Sequence, residues 1–188
     1  MNVKKGIRLI AIGFVFTLIN LNINFNAQSI NIMPDFIGWF IIAFAFSYMG
    51  SFKKGSGWLK WGSILLGLIS AGLMIAEFIF PKYDFTLYKS GASILEALII
   101  FFLLKLLEKI GRSYGSGLVG DLKILRYVYL VVYVIFQALS LCSGFLPVDL
   151  FTTLVSLCGI IALLTAIITM LVLLRFSATL ETEENEAS

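Results

Sequence analysis

Long apolar runs, broken by short polar stretches, dominate this chain, and their length decides what they can be. Crossing ~30 Å of hydrocarbon takes about 20 helical residues at ~1.5 Å each. Six runs fit that template: residues 7–25, 34–49, 58–80, 91–107, 124–146 and 150–174. Proline at position 81 follows the third run as a stop signal. The pattern predicts an all-α, polytopic membrane helical bundle of six spans, one transmembrane domain over residues 1–180. A short acidic tail, residues 181–188, is expected to be disordered. Lys4, Lys5 and Arg8 ahead of the first run imitate a signal peptide. Phe25 and Ala27 make a poor cleavage site, so the run reads as an uncleaved first span.

Composition agrees with the bilayer as solvent. The 188 residues are 60% hydrophobic and 13% charged, and the mean hydropathy is +0.99. Soluble domains carry about 25% charged residues. This leaves no water-soluble domain.

The charges then orient the spans. With the N-terminus inside, Lys4, Lys5, Arg8, Lys53, Lys54, Lys60, Lys105, Lys109, Arg112, Lys123, Arg126 and Arg175 fall on the cytoplasmic side. Only Lys82 and Lys89 of the 14 basic residues fall outside. A miscounted span would scramble this alternation, so both termini are expected in the cytoplasm. Asp35, Glu77, Asp84, Glu96 and Asp149 gather at the outer face, five acids against two bases, a net charge of −3 there. Trp39, Trp58 and Trp61 read as interfacial anchors, and Lys105 can snorkel to the headgroups.

Polar and small residues recur at helical spacing within the runs. Gly13, Thr17, Asn20 and Asn24 would share a face of the first span, and Ser63, Gly67, Ser70, Met74 and Glu77 one of the third. Tyr129, Tyr133, Gln137, Ser140 and Gly144 line the fifth; Cys158, Ala162, Thr165 and Thr169 line the sixth. Such stripes turn away from lipid, because unpaired polar groups in hydrocarbon are costly. Helix packing through small residues explains them; a polar cavity is the sharper alternative. Glu96 is the most informative residue, about five residues into its span. Intramembrane carboxylates are functional candidates, and Glu96 would bind a cation or basic group, or carry a proton. Its structural alternative is a pair with Lys89 or a reach to outer water. A faint parallel repeat between the runs starting at Gly38 and Glu96 is equally explained by chance.

Residues 20–39 alternate asparagine with apolar residues before Pro34 and Asp35, too polar for lipid. The chain is expected to emerge there and return at Pro34, which suits a first helical turn; Asp35 favours the positive end of the helix dipole. Gly38 would allow a close helix contact. This amide-rich hairpin could form the outer lip of a binding site. The segment from Ile32 to Trp39, I-M-P-D-F-I-G-W, resembles an "I-L-P-D-F-I-G-Y" segment of small multi-spanning membrane proteins from low-GC Gram-positive bacteria. Met33 and Trp39 depart mildly from that pattern, and the resemblance covers roughly residues 20–50. It implies the bacterial cytoplasmic membrane and the start of the second span, and supplies no substrate or catalytic residue.

No enzyme is expected. There is no histidine, hence no Ser-His nucleophile pair and no HExxH zinc site. The glycine-containing stretch 111–120 lacks the G-K-[ST] ending of a phosphate loop and reads as a flexible cytoplasmic loop. Cys142 and Cys158 differ in expected depth by about 9 Å on the helical rise, which disfavours a disulfide, whose Cα atoms lie below ~7 Å. No cofactor or metal is implied. The expected partners are membrane lipids, a homo-oligomer or another membrane protein, and not nucleic acid. Two functions compete. One is a small-molecule or ion carrier, or ligand-binding membrane protein, whose outward-facing polar site uses Glu96, Gln137, Asn20, Asn24, Glu77 and Asp35. The other is a non-catalytic accessory subunit docking through small-residue faces such as Ser63-Gly67-Ala71.

Overall fold

The computed structural model describes residues 3–18, 22–25, 28–31, 35–49, 53–83, 85–141 and 147–186. Among these the chain is a helical bundle of six helices: α1 (Val3–Leu18), α2 (Asp35–Ala45, continued by a 3₁₀ turn, Phe46–Tyr48), α3 (Lys53–Ile79), α4 (Thr86–Ser113), α5 (Val119–Leu141) and α6 (Val148–Glu186). Between α1 and α2 stand two short strands, β1 (Asn22–Phe25) and β2 (Gln28–Asn31). Gly55–Ile79, Leu87–Ser113 and Val148–Thr179 are long and apolar enough to cross a membrane.

Three sequence expectations about where the elements run need correction. The first helix does not reach Phe25: Asn22–Phe25 is extended and pairs antiparallel with Gln28–Asn31, Asn22 opposite Asn31 and Phe25 opposite Gln28. Alternation of polar and apolar residues has the period of a strand, and asparagine is a poor helix former. Asn24 therefore does not share a helical face with Gly13 and Thr17. The acidic tail is not irregular either, since α6 runs through Glu186. Leu180, Ala187 and four glutamates between Glu181 and Glu186 surround it with good helix formers, and no proline or glycine interrupts. Finally, the stretch 111–120 is not a long loop. Helix α4 continues to Ser113 and closes on Gly115, whose φ of +67° suits glycine. Ser116 N donates to Gly111 O at 3.0 Å and Gly115 N to Arg112 O at 3.4 Å, a Schellman cap.

Each helix packs on its neighbours in sequence, and α6 returns to α1. Contacts between helix ends show the direction of each. Arg8, early in α1, donates to Ser177 Oγ late in α6 at 3.2 Å. Lys5 lies 4.7 Å from the Tyr48 ring, just past α2. Trp58, early in α3, stacks edge-on against Phe102 of α4 at 4.9 Å, and Arg126, early in α5, meets Glu108 late in α4. One end of the bundle thus gathers the helix ends that carry the twelve basic residues assigned to one side above.

The core occupies that same end. Ile7, Ile10, Phe14, Trp39, Ile42, Leu59, Leu66, Ile100, Leu103, Leu107, Leu122 and Phe176 are all buried in it. Toward the opposite end, no described residue is buried after Phe14 on α1, before Gly38 on α2, after Gly67 on α3, before Ala97 on α4, after Arg126 on α5 or before Thr165 on α6. On α4 the packed layer, Ala97 to Gly111, is about 21 Å deep and the stretch above it about 15 Å. Trp39 belongs to the packed layer, 1% exposed, and is not an interfacial anchor; Trp58 and Trp61 are 49% and 70% exposed.

Candidate functional site

The packed layer ends in polar residues. Asp35 opens α2 one turn before the first buried residue of that helix, Gly38. Glu96 immediately precedes Ala97, the first buried residue of α4, and Tyr129 stands three residues beyond Arg126, the last of α5. All three are half-buried, and they are near enough to influence one another electrostatically, Asp35 acting on Glu96 and Glu96 and Tyr133 on Tyr129. Three helices therefore place two carboxyls and a phenol near one another at the edge of the buried layer. Asp35 Oδ1 is shielded from solvent and has no hydrogen-bond partner among the described residues. A carboxylate oxygen in that position calls for water, a proton or a cation.

Backbone geometry fixes Asp35 in place. A Cβ built on Gly38 would fall 2.5 Å from Gly13 O and 2.6 Å from Thr17 Cγ2; one on Gly13 would fall 2.6 Å from Ile42 Cγ1. At this crossing α1 and α2 approach as only glycine permits, one helical turn from Asp35. The dipole of α2 presents its positive end to the carboxyl.

Glu77 is placed differently. It forms an ion pair with Lys89 across the turn from α3 to α4, both side chains well exposed. Lys89 is thus engaged by Glu77, and the alternative pairing of Lys89 with Glu96 is not the one formed. Asn24 lies on β1, and Gln137 on α5, with the side chains of both outside the described residues. Asn20 and Pro34 lie outside them entirely. The stripe on α6 turns inward as packing: the buried Thr165 and Thr169 donate to Ile161 O and Thr165 O at 2.8 and 2.7 Å. Cys158 is a free thiol, and Cys142 lies outside the described residues. No group of three or more His, Cys, Asp or Glu side chains able to hold a metal occurs among the described residues.

The sequence reading passed over a second polar centre within the packed layer. Glu108 and Arg126 are both buried, at 6% and 7% exposure. Arg126 Nη1 donates to Glu108 Oε2 at 2.8 Å and Nη2 to the Tyr127 hydroxyl at 3.1 Å. The guanidinium also lies 5.2 Å from the Phe101 ring. Arg112 donates to the other oxygen, Oε1, at 2.5 Å. The available signal was Glu108 itself, the sole acid between Lys105 and Arg112.

Comparison with protein-family models, with curated proteins and with solved structures finds no match for this chain.

Proposed function

We propose that this chain is a six-span protein of the bacterial cytoplasmic membrane, both termini inside, that holds a small cation or basic group in an outward-facing polar site. It would act as a carrier or as a ligand-binding membrane protein. The observation that carries this reading is the placement of Asp35, Glu96 and Tyr129 near one another at the edge of the buried layer, with Asp35 Oδ1 shielded from solvent and unpartnered among the described residues. Two carboxyls that face each other in a low-dielectric setting repel when both are ionised. A bound cation or shared proton relieves that repulsion. The basic residues at the opposite end support an outward direction for this site, by the positive-inside rule, and the resemblance of Ile32–Trp39 to Gram-positive membrane proteins supports the compartment.

The test is a thermal-shift titration of purified protein with sodium chloride and with methylammonium chloride, choline chloride serving as ionic-strength control. A ligand at a hundredfold excess over its Kd stabilises by about 2.7 kcal/mol. The wild type is expected to gain such stability from one of the two cations, and Glu96→Gln to lose that gain while melting normally without it. An equal response of wild type and Glu96→Gln to both cations would contradict the proposal.

A further inference from the structure

A charged pair within the buried layer of the bundle needs a reason. Glu108 and Arg126 supply no exposed function there: both are buried, and they join α4 to α5 directly beneath Tyr129. Buried ion pairs are often no more stabilising than apolar residues of the same volume, and their best-attested use is in registry and switching. They differ from an apolar contact in one respect that matters here. Separated, both members can be hydrated, so the contact can close dry and open wet.

The surroundings are built for both conditions. Arg126 Nε is buried without a hydrogen-bond partner among the described residues, so the closed pair leaves one donor unsatisfied. Glu108 Oε1 is already held by Arg112, whose side chain is 65% exposed at the basic end. Release of Arg126 would therefore leave Glu108 with a hydrated cationic partner. On α5, Arg126, Tyr129 and Tyr133 follow at three- and four-residue spacing, so they share one face. The pair and the acid site thus lie along a single line of polar side chains.

We propose that the Glu108–Arg126 ion pair is a latch that closes the basic end of the bundle, and that its release opens a path from that end to the site at Glu96. The proposal rests on the outward-facing site proposed above. In alternating access, one side of a midplane site is shut while the other is open; on this reading the closed pair corresponds to the state open opposite the basic end.

The test is reciprocal thiol labelling of purified protein with a water-soluble maleimide, in a background carrying Cys142→Ser and Cys158→Ser. A Leu122→Cys reporter stands one turn before Arg126 in the packed layer, and an Ala92→Cys reporter one turn above Glu96. With Glu108→Gln, labelling at Leu122→Cys is expected to rise about tenfold or more while labelling at Ala92→Cys falls. The charge swap, Glu108→Arg with Arg126→Glu, is expected to restore both rates, and the apolar pair, Glu108→Leu with Arg126→Met, to keep Leu122→Cys shielded. Unchanged labelling at both reporters overturns the latch. A rise at both together, reversed by the charge swap, also overturns it and makes the pair a packing element. No ligand enters the experiment, so its outcome is separable from that of the Glu96→Gln titration.

Discussion

Gly38 and Gly13 set the distance between α1 and α2, and through it the position of Asp35. A methyl group on Gly38 would meet a backbone carbonyl at 2.5 Å, which cannot rotate away as a side chain could. Gly38→Ala is expected to lower stability by about 1–3 kcal/mol, seen as a lower melting temperature in detergent. Glu77→Gln should change stability by no more than about 1 kcal/mol, because its pair with Lys89 is exposed. The acids at 77 and 96 look alike in sequence, each within an apolar run, and only the fold separates them. Glu77 pairs with Lys89 across a turn, whereas Glu96 comes under the influence of Asp35, sixty-one positions earlier, a neighbour that no local spacing reveals. Glu108 escaped notice for a similar reason. Its chief partner, Arg126, stands 18 residues away on the next helix.

At the scale of elements, apolar run length was a good guide to where helices stand and a poor one to where they stop. Pro81 ends α3 near the expected residue, and α4 and α5 extend beyond the apolar runs into charged residues, since a helix does not end at the hydrocarbon boundary. The error at the first run came from counting Ile23 and Phe25 as apolar continuation. Their alternation with Asn22 and Asn24 was the better signal. The continuation of α6 is open to direct measurement. Spin labels at Arg175 and Asn185 should lie about 15 Å apart along a continuous helix, and about 34 Å apart if the tail were extended. A pulsed-dipolar distance near the longer value would contradict a helix reaching Glu186.

For the whole molecule, the charge pattern was the most legible property. Twelve basic residues assigned to one side by alternation alone stand on helix ends that the fold joins through Arg8–Ser177, Trp58–Phe102 and Glu108–Arg126. Hydropathy could not show that the fully buried described residues gather at that same end, because an apolar residue facing lipid and one facing another helix read alike. That asymmetry leaves Asp35, Glu96 and Tyr129 at the edge of the buried layer. The most direct test is cysteine accessibility along α4 in intact cells, in the background lacking Cys142 and Cys158, with a membrane-impermeant maleimide applied from outside. Single cysteines at Ala92, Ser93 and Glu96 are expected to react, and those at Ile100 and Leu103 to stay protected. Protection at Ala92, Ser93 and Glu96 alike would mean that water does not reach the carboxyl from that side, and would contradict an outward-facing site.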